Sequence, residues 1–239
     1  MRLDQLLVAK GLARTRTKAR EAILRGGVTV DGAPARRPSQ NVAESAVLMA
    51  EQDRFVGRGA HKLAHAATTF AIDLEGRSAL DVGASTGGFT QVLLEHGARR
   101  VVALDVGHGQ LAPELAADPR VTVMDGVNAR TLRAGDLPFR PDAVVIDVSF
   151  ISLTLVLPPV LALTAAPAVL VALVKPQFEV GRAHIGKGGI VRDDAATAAA
   201  VERVEATVTD NGFAIVGTAP SPILGGDGNA EWLLAAERR

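Results

Sequence analysis

From residue 78 onward, short apolar runs alternate with segments in which the apolar residues have a helical spacing. The runs recur at intervals of roughly 20 to 30 residues, and they are SALDV, RVVALD, RVTVMD, PDAVVID and AVLVALV. After the first run, GFTQVLLEHGA reads as a helix, with Val92 and Leu93 apolar and Gly97 at its end. Apolar runs separated by helices predict a parallel sheet with helices on both faces. The fold class is therefore predicted to be α/β.

A polar residue stands at or just after the end of each predicted strand. These residues are Asp81, Asp105, Asp125, Asp147 and Lys175. In open α/β sheets, ligands bind at the edge formed by the carboxyl ends of the strands. We therefore expect these side chains to surround a binding site.

The first 42 residues show a different and smaller pattern. Two short helical stripes are followed by a strand, VTV, that leads into an Asp-Gly turn. The apolar positions of the two stripes are Leu3, Leu6, Leu7, Ala19, Ala22 and Ile23. We predict a small α+β domain at residues 1–50, a linker at 51–59 and the α/β domain at 60–239.

The whole chain has no net charge, but its charge is unevenly distributed. Residues 1–42 hold nine Lys or Arg and three Asp or Glu, a net charge of +6 that leaves −6 on the remainder. Several cations crowd the first turns of the second helix, where the helix dipole disfavours them. A polyanion such as RNA would offset this cost, because its phosphates release counterions on binding. From charge alone, a solvated charged face is the simpler interpretation.

The composition narrows the possible functions. The chain has no cysteine, which excludes disulfides, thiolate ligands and a cysteine nucleophile. The five histidines have no metal-binding spacing, so we expect no metal. No signal-like segment or membrane-length apolar run occurs. These features predict a cytoplasmic protein that does not act on membranes, and nothing in the sequence requires more than a monomer.

The glycine-rich stretch LDVGASTGGFT departs from two common nucleotide-binding loops. It lacks the second glycine of GxGxxG and the lysine of a phosphate-binding P-loop. Asp81, two residues before the first glycine, would repel a pyrophosphate but suits a ligand with an amino cation. The stretch resembles the first motif of class I S-adenosylmethionine methyltransferases. This resemblance implies S-adenosylmethionine as cofactor, with Asp105 binding the ribose and Asp125-Gly126 facing the adenine. The implied cofactor-binding residues are Asp81, Gly83, Ser85, Thr86, Gly87, Gly88, Phe89, Asp105, Val106, Asp125 and Gly126.

Absent residues narrow the choice of methyl acceptor. Methylation at C5 of a pyrimidine usually needs a cysteine, and methylation of a base amino group usually shows a proline-containing motif in place of Asp147-Val148-Ser149-Phe150. In chain order, Lys62, Asp147, Lys175 and Glu231 resemble the Lys-Asp-Lys-Glu set of FtsJ-like ribose 2′-O-methyltransferases. A 2′-hydroxyl is a poor acid that needs a base and a nearby cation.

The resemblance suggests a role for each of these four residues. Lys175 is the predicted general base, because a second cation nearby favours its neutral form. Asp147 would orient Lys175 and border the methyl group. Lys62 and Glu231 would position the ribose.

The N-terminal segment TRTKAREAI, with the following glycine pair and VTVDG, resembles the S4 RNA-binding domain. The resemblance implies recognition of structured RNA by its shape and its phosphates. Phe150, just after the fourth strand, is a candidate for stacking on a flipped-out base, although a core position is an equally good reading. The predicted RNA-binding residues are Arg2, Arg14, Arg16, Lys18, Arg20 and Phe150.

An S4-like segment joined to an FtsJ-like domain resembles the TlyA, or hemolysin A, family. MRLDQLLVAKGLA, DVGASTGGFT, LDVGHGQL, DVSFISL and LVKPQFEVGR carry the resemblance along the whole chain. It implies 2′-O-methylation of cytidine in ribosomal RNA within ribosomal subunits, and the compact chain favours large-subunit RNA. Two alternatives remain open, a non-catalytic RNA-binding protein and a membrane-acting hemolysin, and the lack of any membrane segment argues against the second.

Overall fold

The computed structural model describes residues 1–13, 15–50 and 54–239. Arg14 and residues 51–53 of the predicted linker lie outside the described residues. The chain divides into two compact units, Met1–Arg54 and Phe55–Arg239. Phe55, which falls in the predicted linker, is buried in the apolar core of the second unit. The limits of the two predicted domains stay a prediction.

The first unit is a pair of helices packed with a small antiparallel sheet in the order β2-β1-β3. Its elements are α1 (Leu3–Ala9), α2 (Arg16–Arg25), β1 (Val28–Val30), β2 (Ala33–Pro34) and β3 (Leu48–Ala50). Thr15 caps α2 by accepting a hydrogen bond from the Lys18 amide, and Gly26 ends it in the left-handed region with φ 85°. The helix limits and the glycine stop therefore agree with the sequence pattern.

The core of the first unit contains the predicted apolar stripes. Leu3, Leu7, Ala19 and Ile23 are almost fully buried and pack together. Leu6 is buried as well, whereas Ala22 packs at the margin of the core. An i, i+4 spacing places Leu3 and Leu7 on one face of α1, and the same spacing places Ala19 and Ile23 on one face of α2.

The second unit is an α/β domain built around a seven-stranded sheet. Its first elements are α3 (Gly59–Thr69), β4 (Ser78–Val82), α4 (Gly88–Glu95), β5 (Arg100–Asp105), α5 (Pro113–Ala116), β6 (Val121–Asp125) and β7 (Ala143–Ile146). They are followed by α6 (Leu153–Ala162), β8 (Ala168–Val174), α7 (Pro176–Glu179), α8 (Asp194–Asp210), β9 (Ala214–Pro220) and β10 (Trp232–Arg238). All five strands that the apolar runs predict are present.

The strand order in the large sheet is β6-β5-β4-β7-β8-β10-β9. The first five strands in this order are parallel, as predicted, but β10 is antiparallel to both β8 and β9. The parallel prediction concerns only those five strands; residues 221–231 join β9 to β10 without a crossover helix, so this last pair is an antiparallel hairpin. Its two strands, β9 and β10, extend to either side of this connection.

Alternating residues of the central strands face two separate apolar layers. Leu80, Val144 and Leu170 pack on the side of α6 and α8. Ala79, Val145 and Val171 pack on the side of α3 and α4. The period of two in a strand explains why strands that are buried on both faces read as continuous apolar runs. Helices on both faces of the sheet are thus confirmed.

Candidate active site

The carboxyl ends of the central strands bring the predicted polar residues to one edge of the sheet. Asp105 ends β5, Asp81 lies near the end of β4, and Asp147 and Lys175 come directly after β7 and β8. Because β10 runs in the opposite direction, Glu231 enters the same edge just before its strand begins. This single antiparallel strand explains how a residue close to the C-terminus reaches the site.

Lys175 and Asp147 form an ion pair at this edge. Lys175 Nζ lies 2.5 Å from Asp147 Oδ1, and Lys175 is only 8% exposed. The same amine donates a hydrogen bond to Ser149 Oγ over 2.9 Å. Pro176 begins α7 immediately afterwards, a position that proline favours, so the main chain turns away while Lys175 stays at the strand end.

Lys62 and Glu231 form a second ion pair, which is more deeply buried. Lys62 Nζ donates a hydrogen bond to Glu231 Oε2 over 2.5 Å, and the two residues are 5% and 3% exposed. A Cβ on Gly88 would lie 2.9 Å from the Ala60 amide nitrogen, so this glycine lets α4 approach α3. A Cβ on Gly225 would lie 2.5 Å from Glu231 Oε1, so the main chain also lies against the carboxylate.

Strand register brings the two ion pairs to the same place. Trp232 pairs with Val174, so the preceding residue, Glu231, comes opposite Lys175 at the end of this ladder. On α3, a Cβ on Gly59 would lie 3.4 Å from Asp147 Oδ2, and Lys62 follows three residues later on the same helix face. All four residues predicted as catalytic therefore converge on one site.

Asp81 is completely buried beneath this edge. Its Oδ2 accepts a hydrogen bond from Thr90 Oγ1 over 2.7 Å, whereas Oδ1 has no hydrogen-bond partner among the described residues. Burial raises the pKa of Asp81 to about 7, and the nearby charge of Asp147 adds to this effect. An unpartnered buried carboxylate oxygen favours a cationic ligand group.

The glycine-rich loop allows close packing of the main chain, in addition to its predicted contacts with a ligand. Gly83 has φ +87°, and a Cβ on it would lie 2.4 Å from the Asp147 carbonyl oxygen, so only glycine allows β4 and β7 to meet there. Ser85 and Thr86 are exposed, and Gly87 forms the left-handed N-cap of α4. Phe89 is buried in the apolar core, where its ring lies near Gly59 of α3, and its predicted contact with the cofactor stays a prediction.

Two further loops line the same edge. Asp105 accepts hydrogen bonds from the amides of Ser85, at 2.8 Å, and Gly107, at 2.7 Å, which fixes the orientation of its carboxylate. Asp125 accepts one from the Gly109 amide over 2.7 Å. Val106 follows Asp105 and is 71% exposed, so its side chain offers apolar surface at this edge.

The structure also shows residues at this edge that the sequence did not single out. The ring of His108 lies against Gly126, where a Cβ would come within 2.6 Å of the imidazole Nε2. Ser149 bonds to Lys175, as described above. Glu179 caps α6 by accepting hydrogen bonds from Ser152 Oγ and the Leu153 amide, and burial raises its pKa. All three residues lie in stretches that carry the family resemblance, but only the folded geometry shows which partner each side chain contacts.

Phe150 is not a core residue. It is 89% exposed and has φ +64°, a strained conformation for a bulky side chain. Its ring lies 5.2 Å from that of Phe178, centroid to centroid. Strain of this kind persists where the surrounding structure fixes it, and it concentrates at functional sites.

In the first unit, two of the predicted RNA-binding arginines already have a carboxylate partner. Asp4, which is fully buried, lies 3.0 Å from Arg2 and 3.1 Å from Arg16. The Arg2 guanidinium, followed by that of Arg16, lowers the pKa of Asp4 to about 2. Lys18 pairs with Glu21 over 3.5 Å, and Arg20 is exposed. Asp4 thus offsets part of the positive charge near the start of α2, while Arg2 and Arg16 keep about half of their side-chain surface exposed.

The described residues lack two kinds of feature, a metal-binding cluster and a membrane-spanning helix. In the part of the chain that the structure describes, no group of three or more His, Cys, Asp or Glu is arranged to hold a metal ion. Within the same residues, no helix is both long enough and apolar enough to cross a membrane.

Comparison with known proteins matches both parts of the chain. Residues 55–238 match the FtsJ-like methyltransferase family, and residues 1–48 match the S4 domain. The 16S/23S rRNA (cytidine-2′-O)-methyltransferase TlyA of Mycobacterium tuberculosis is 48% identical over 98% of this chain and 88% of its own length. Hemolysin A of Brachyspira hyodysenteriae is 38% identical over 98% of both chains.

Solved structures show the same architecture. A protein from Streptococcus thermophilus assigned as a candidate hemolysin has a TM-score of 0.78 and 40% identity, covering 100% of this chain and 88% of that one. A protein from Listeria monocytogenes assigned as a candidate S-adenosylmethionine-dependent methyltransferase has a similar fold, with a TM-score of 0.56 at 16% identity, covering 74% of this chain and 100% of that one. The chain belongs to the FtsJ-like methyltransferase family, in the group of the TlyA and hemolysin A proteins that carry an S4 domain.

Proposed function

We propose that this protein transfers a methyl group from S-adenosylmethionine to the ribose 2′-hydroxyl of a cytidine in ribosomal RNA. The observation that carries the proposal is the convergence of Lys175–Asp147 and Lys62–Glu231 at one sheet edge. The M. tuberculosis relative, whose name gives this activity, supports the choice of substrate.

The residues at the sheet edge fit S-adenosylmethionine. The unpartnered Asp81 Oδ1 suits an amino cation, and the carboxylate of Asp105 keeps acceptor capacity for ribose hydroxyls beyond its two amide bonds. The exposed Val106 and the ring of His108 offer apolar surface for an adenine. When bound, the cofactor supplies an activated methyl group on a sulfonium.

Lys175 is the proposed general base. It stands at a strand end with its amine held by Asp147 and Ser149, where it could take the proton from a 2′-hydroxyl. Methyl transfer is an in-line displacement, so the protein's main task is to align the two reacting atoms. Asp147 would hold Lys175 and border the methyl group.

Lys62 and Glu231 are proposed to position the ribose. Both are almost fully buried, and a charge pair held in place in this way forms a rigid wall of the site. Fixed dipoles and charges of this kind stabilise developing charge without reorganisation during the reaction.

RNA is proposed to contact both units. Phe150 offers an exposed ring for stacking on the target base, next to the pair formed by Lys175 and Asp147. Arg2, Arg16, Lys18 and Arg20 of the first unit are proposed to contact phosphates. We propose that the enzyme acts as a monomer in the cytoplasm, without a metal ion.

The proposed function can be tested with ribosomal subunits that lack the modification. Purified 30S and 50S subunits would be incubated separately with the protein and methyl-labelled S-adenosylmethionine. We expect label in the large-subunit RNA, while label in both subunits would match the relative named for 16S and 23S RNA. Cofactor binding without label in either subunit would favour the non-catalytic RNA-binding alternative. Lysis of erythrocytes or lipid vesicles by the pure protein would favour the hemolysin alternative.

The affinity for the cofactor is expected to weaken as the pH falls below about 7. The pKa of Asp81 is raised to about 7, so its carboxyl group becomes protonated below that pH and must lose the proton to bind an amino cation. The Kd of S-adenosylhomocysteine should rise by up to about tenfold for each pH unit below 7 and be flat above it. Isothermal titration calorimetry between pH 5.5 and 8.5 measures this dependence.

Two variants serve as controls for the role of Asp81. Asp81→Asn should bind weakly with little pH dependence, whereas Asp105→Asn should bind weakly but keep the slope below pH 7. Because the folded-state pKa of Asp81 is raised, the free protein should also lose stability as the pH rises from about 4 through 7. If the Kd of Asp81→Asn kept the wild-type dependence on pH, Asp81 would be excluded as the group that causes this dependence.

Phe150→Ala is expected to raise the KM for RNA by about 5- to 100-fold, because stacking on an aromatic ring contributes about 1–3 kcal/mol per base. The Kd for S-adenosylhomocysteine should stay within twofold of the wild-type value. Steady-state methylation at varied RNA concentration provides the measurement. Leu224→Ala, at another exposed apolar residue, is the matched control. Equal effects of the two substitutions would contradict a stacking role.

A further inference from the structure

The loop that follows β7 and the turn that follows β8 contact each other at several successive points. These contacts are Asp147 with Lys175, Ser149 with Lys175, Phe150 with Phe178, and Ser152 and Leu153 with Glu179. The proposed base and the proposed stacking residue therefore belong to one connected structure. Ser149 stands between them and, among the described residues, is the one polar side chain of the loop besides Asp147 that contacts Lys175.

Ser149 sets the direction of the Lys175 amine more closely than Asp147 does. The contact between Lys175 Nζ and Asp147 Oδ1 is an ion pair, but Oδ1 has no aligned hydrogen-bond donor among the described residues. Within the same residues, the aligned hydrogen bond of Nζ is the one to Ser149 Oγ, at 2.9 Å. An ion pair attracts the amine, whereas a hydrogen bond also constrains its rotation.

This direction matters because a neutral amine has two N–H bonds and one lone pair. If one N–H points to Ser149 and the carboxylate of Asp147 attracts the other, the lone pair occupies the remaining tetrahedral direction. A general base works only when this lone pair faces the proton that it removes. Ser149 is exposed whereas Lys175 is nearly buried, so the hydroxyl also connects the amine to bulk water.

We propose that Ser149 is a positioning residue, which aims the lone pair of Lys175 at the ribose 2′-hydroxyl. This inference rests on the proposed role of Lys175 as the base. In the reaction, the 2′-oxygen forms a bond to the methyl carbon while the sulfonium–methyl bond breaks, and the 2′-hydroxyl proton moves to Lys175 Nζ. The ammonium then returns that proton to water at the exposed end of the pair.

Three variants of the full-length protein test this role. Ser149→Ala removes the acceptor, Ser149→Thr keeps a hydroxyl, and Ser152→Ala removes a hydroxyl of the same loop that contacts Glu179 instead. For each variant, kcat and KM for unmodified ribosomal subunits would be measured between pH 6 and 9. Binding of S-adenosylhomocysteine reports whether the site stays folded.

We expect Ser149→Ala to lower kcat by about 10- to 100-fold, the usual cost of misdirecting a reacting group, with little change in KM. The acidic limb of the pH profile of kcat should move to lower pH, because the charged Lys175 amine loses a hydrogen-bond acceptor that stabilises it. Ser149→Thr should restore most of kcat, and Ser152→Ala should leave the limb in place.

A wild-type kcat in Ser149→Ala would overturn the inference. So would a loss of kcat with an unmoved acidic limb and no recovery in Ser149→Thr, which would indicate a merely structural role. The role of Lys175 is tested separately by Lys175→Met. If that variant keeps its activity, the proposed base is wrong, whereas an inactive Lys175→Met beside a normal Ser149→Ala refutes only the role of Ser149.

Discussion

Lys175→Met is expected to lower the rate of methyl transfer by about 10³-fold, within the range that a general base contributes. Methionine keeps the length and the apolar stem of lysine but cannot accept the proton of the 2′-hydroxyl. The side chain lies at the end of a buried strand, so the substitution leaves the apolar core unchanged. Single-turnover transfer of labelled methyl at saturating RNA measures the chemical step without product release.

Lys187→Met is the matched control for this prediction, because Lys187 is exposed and lies outside the two ion pairs. At saturating RNA, any weaker binding by Lys187→Met does not enter the measured rate. We expect that control to react within about threefold of the wild type, and both variants to bind S-adenosylhomocysteine normally. A Lys175→Met rate within tenfold of the wild type would mean that another group removes the proton.

Lys62→Ala is expected to destabilise the larger unit by about 3–5 kcal/mol as well as to abolish activity. Removing one partner of a buried ion pair leaves the other charge uncompensated, and Glu231 is only 3% exposed. Trp232, the only tryptophan of the chain, follows Glu231 directly and lies in the larger unit. Its fluorescence during urea unfolding therefore reports on this unit alone.

A double variant separates the structural role of this pair from its functional role. Lys62→Met with Glu231→Leu replaces both charges by apolar side chains of similar size, which is often neutral or stabilising. We expect the double variant to recover most of the lost stability but none of the activity. Recovered activity would contradict the proposal that the pair positions the ribose, and it would leave only a structural role.

Much of the larger unit can be predicted from sequence, because strands that are buried on both faces must be apolar throughout. That constraint makes β4, β5, β7 and β8 visible as apolar runs, and it places Asp105, Asp147 and Lys175 at their ends. The site follows from this pattern, since the carboxyl ends of parallel strands share one edge.

Other features depend on contacts that are distant in sequence. Asp4 pairs with Arg16, which is twelve residues away, because α1 and α2 pack together. Phe89 is drawn into the core by α3, although it adjoins a loop that looks like a ligand-binding motif. Ser149 and Glu179 gain their partners through the contact between two loops. No local pattern encodes these pairings, so the folded structure was needed to find them.

The position of the transferred methyl group tests the central claim most directly. Ribosomal RNA labelled by the enzyme would be hydrolysed with alkali, which cleaves every linkage next to a free 2′-hydroxyl but not one next to a 2′-O-methyl group. The proposed function predicts that the label appears in an alkali-resistant dinucleotide whose 5′ nucleoside is cytidine. Label released in mononucleotides would show methylation of a base, and it would contradict the roles given to Lys175, Asp147, Lys62 and Glu231.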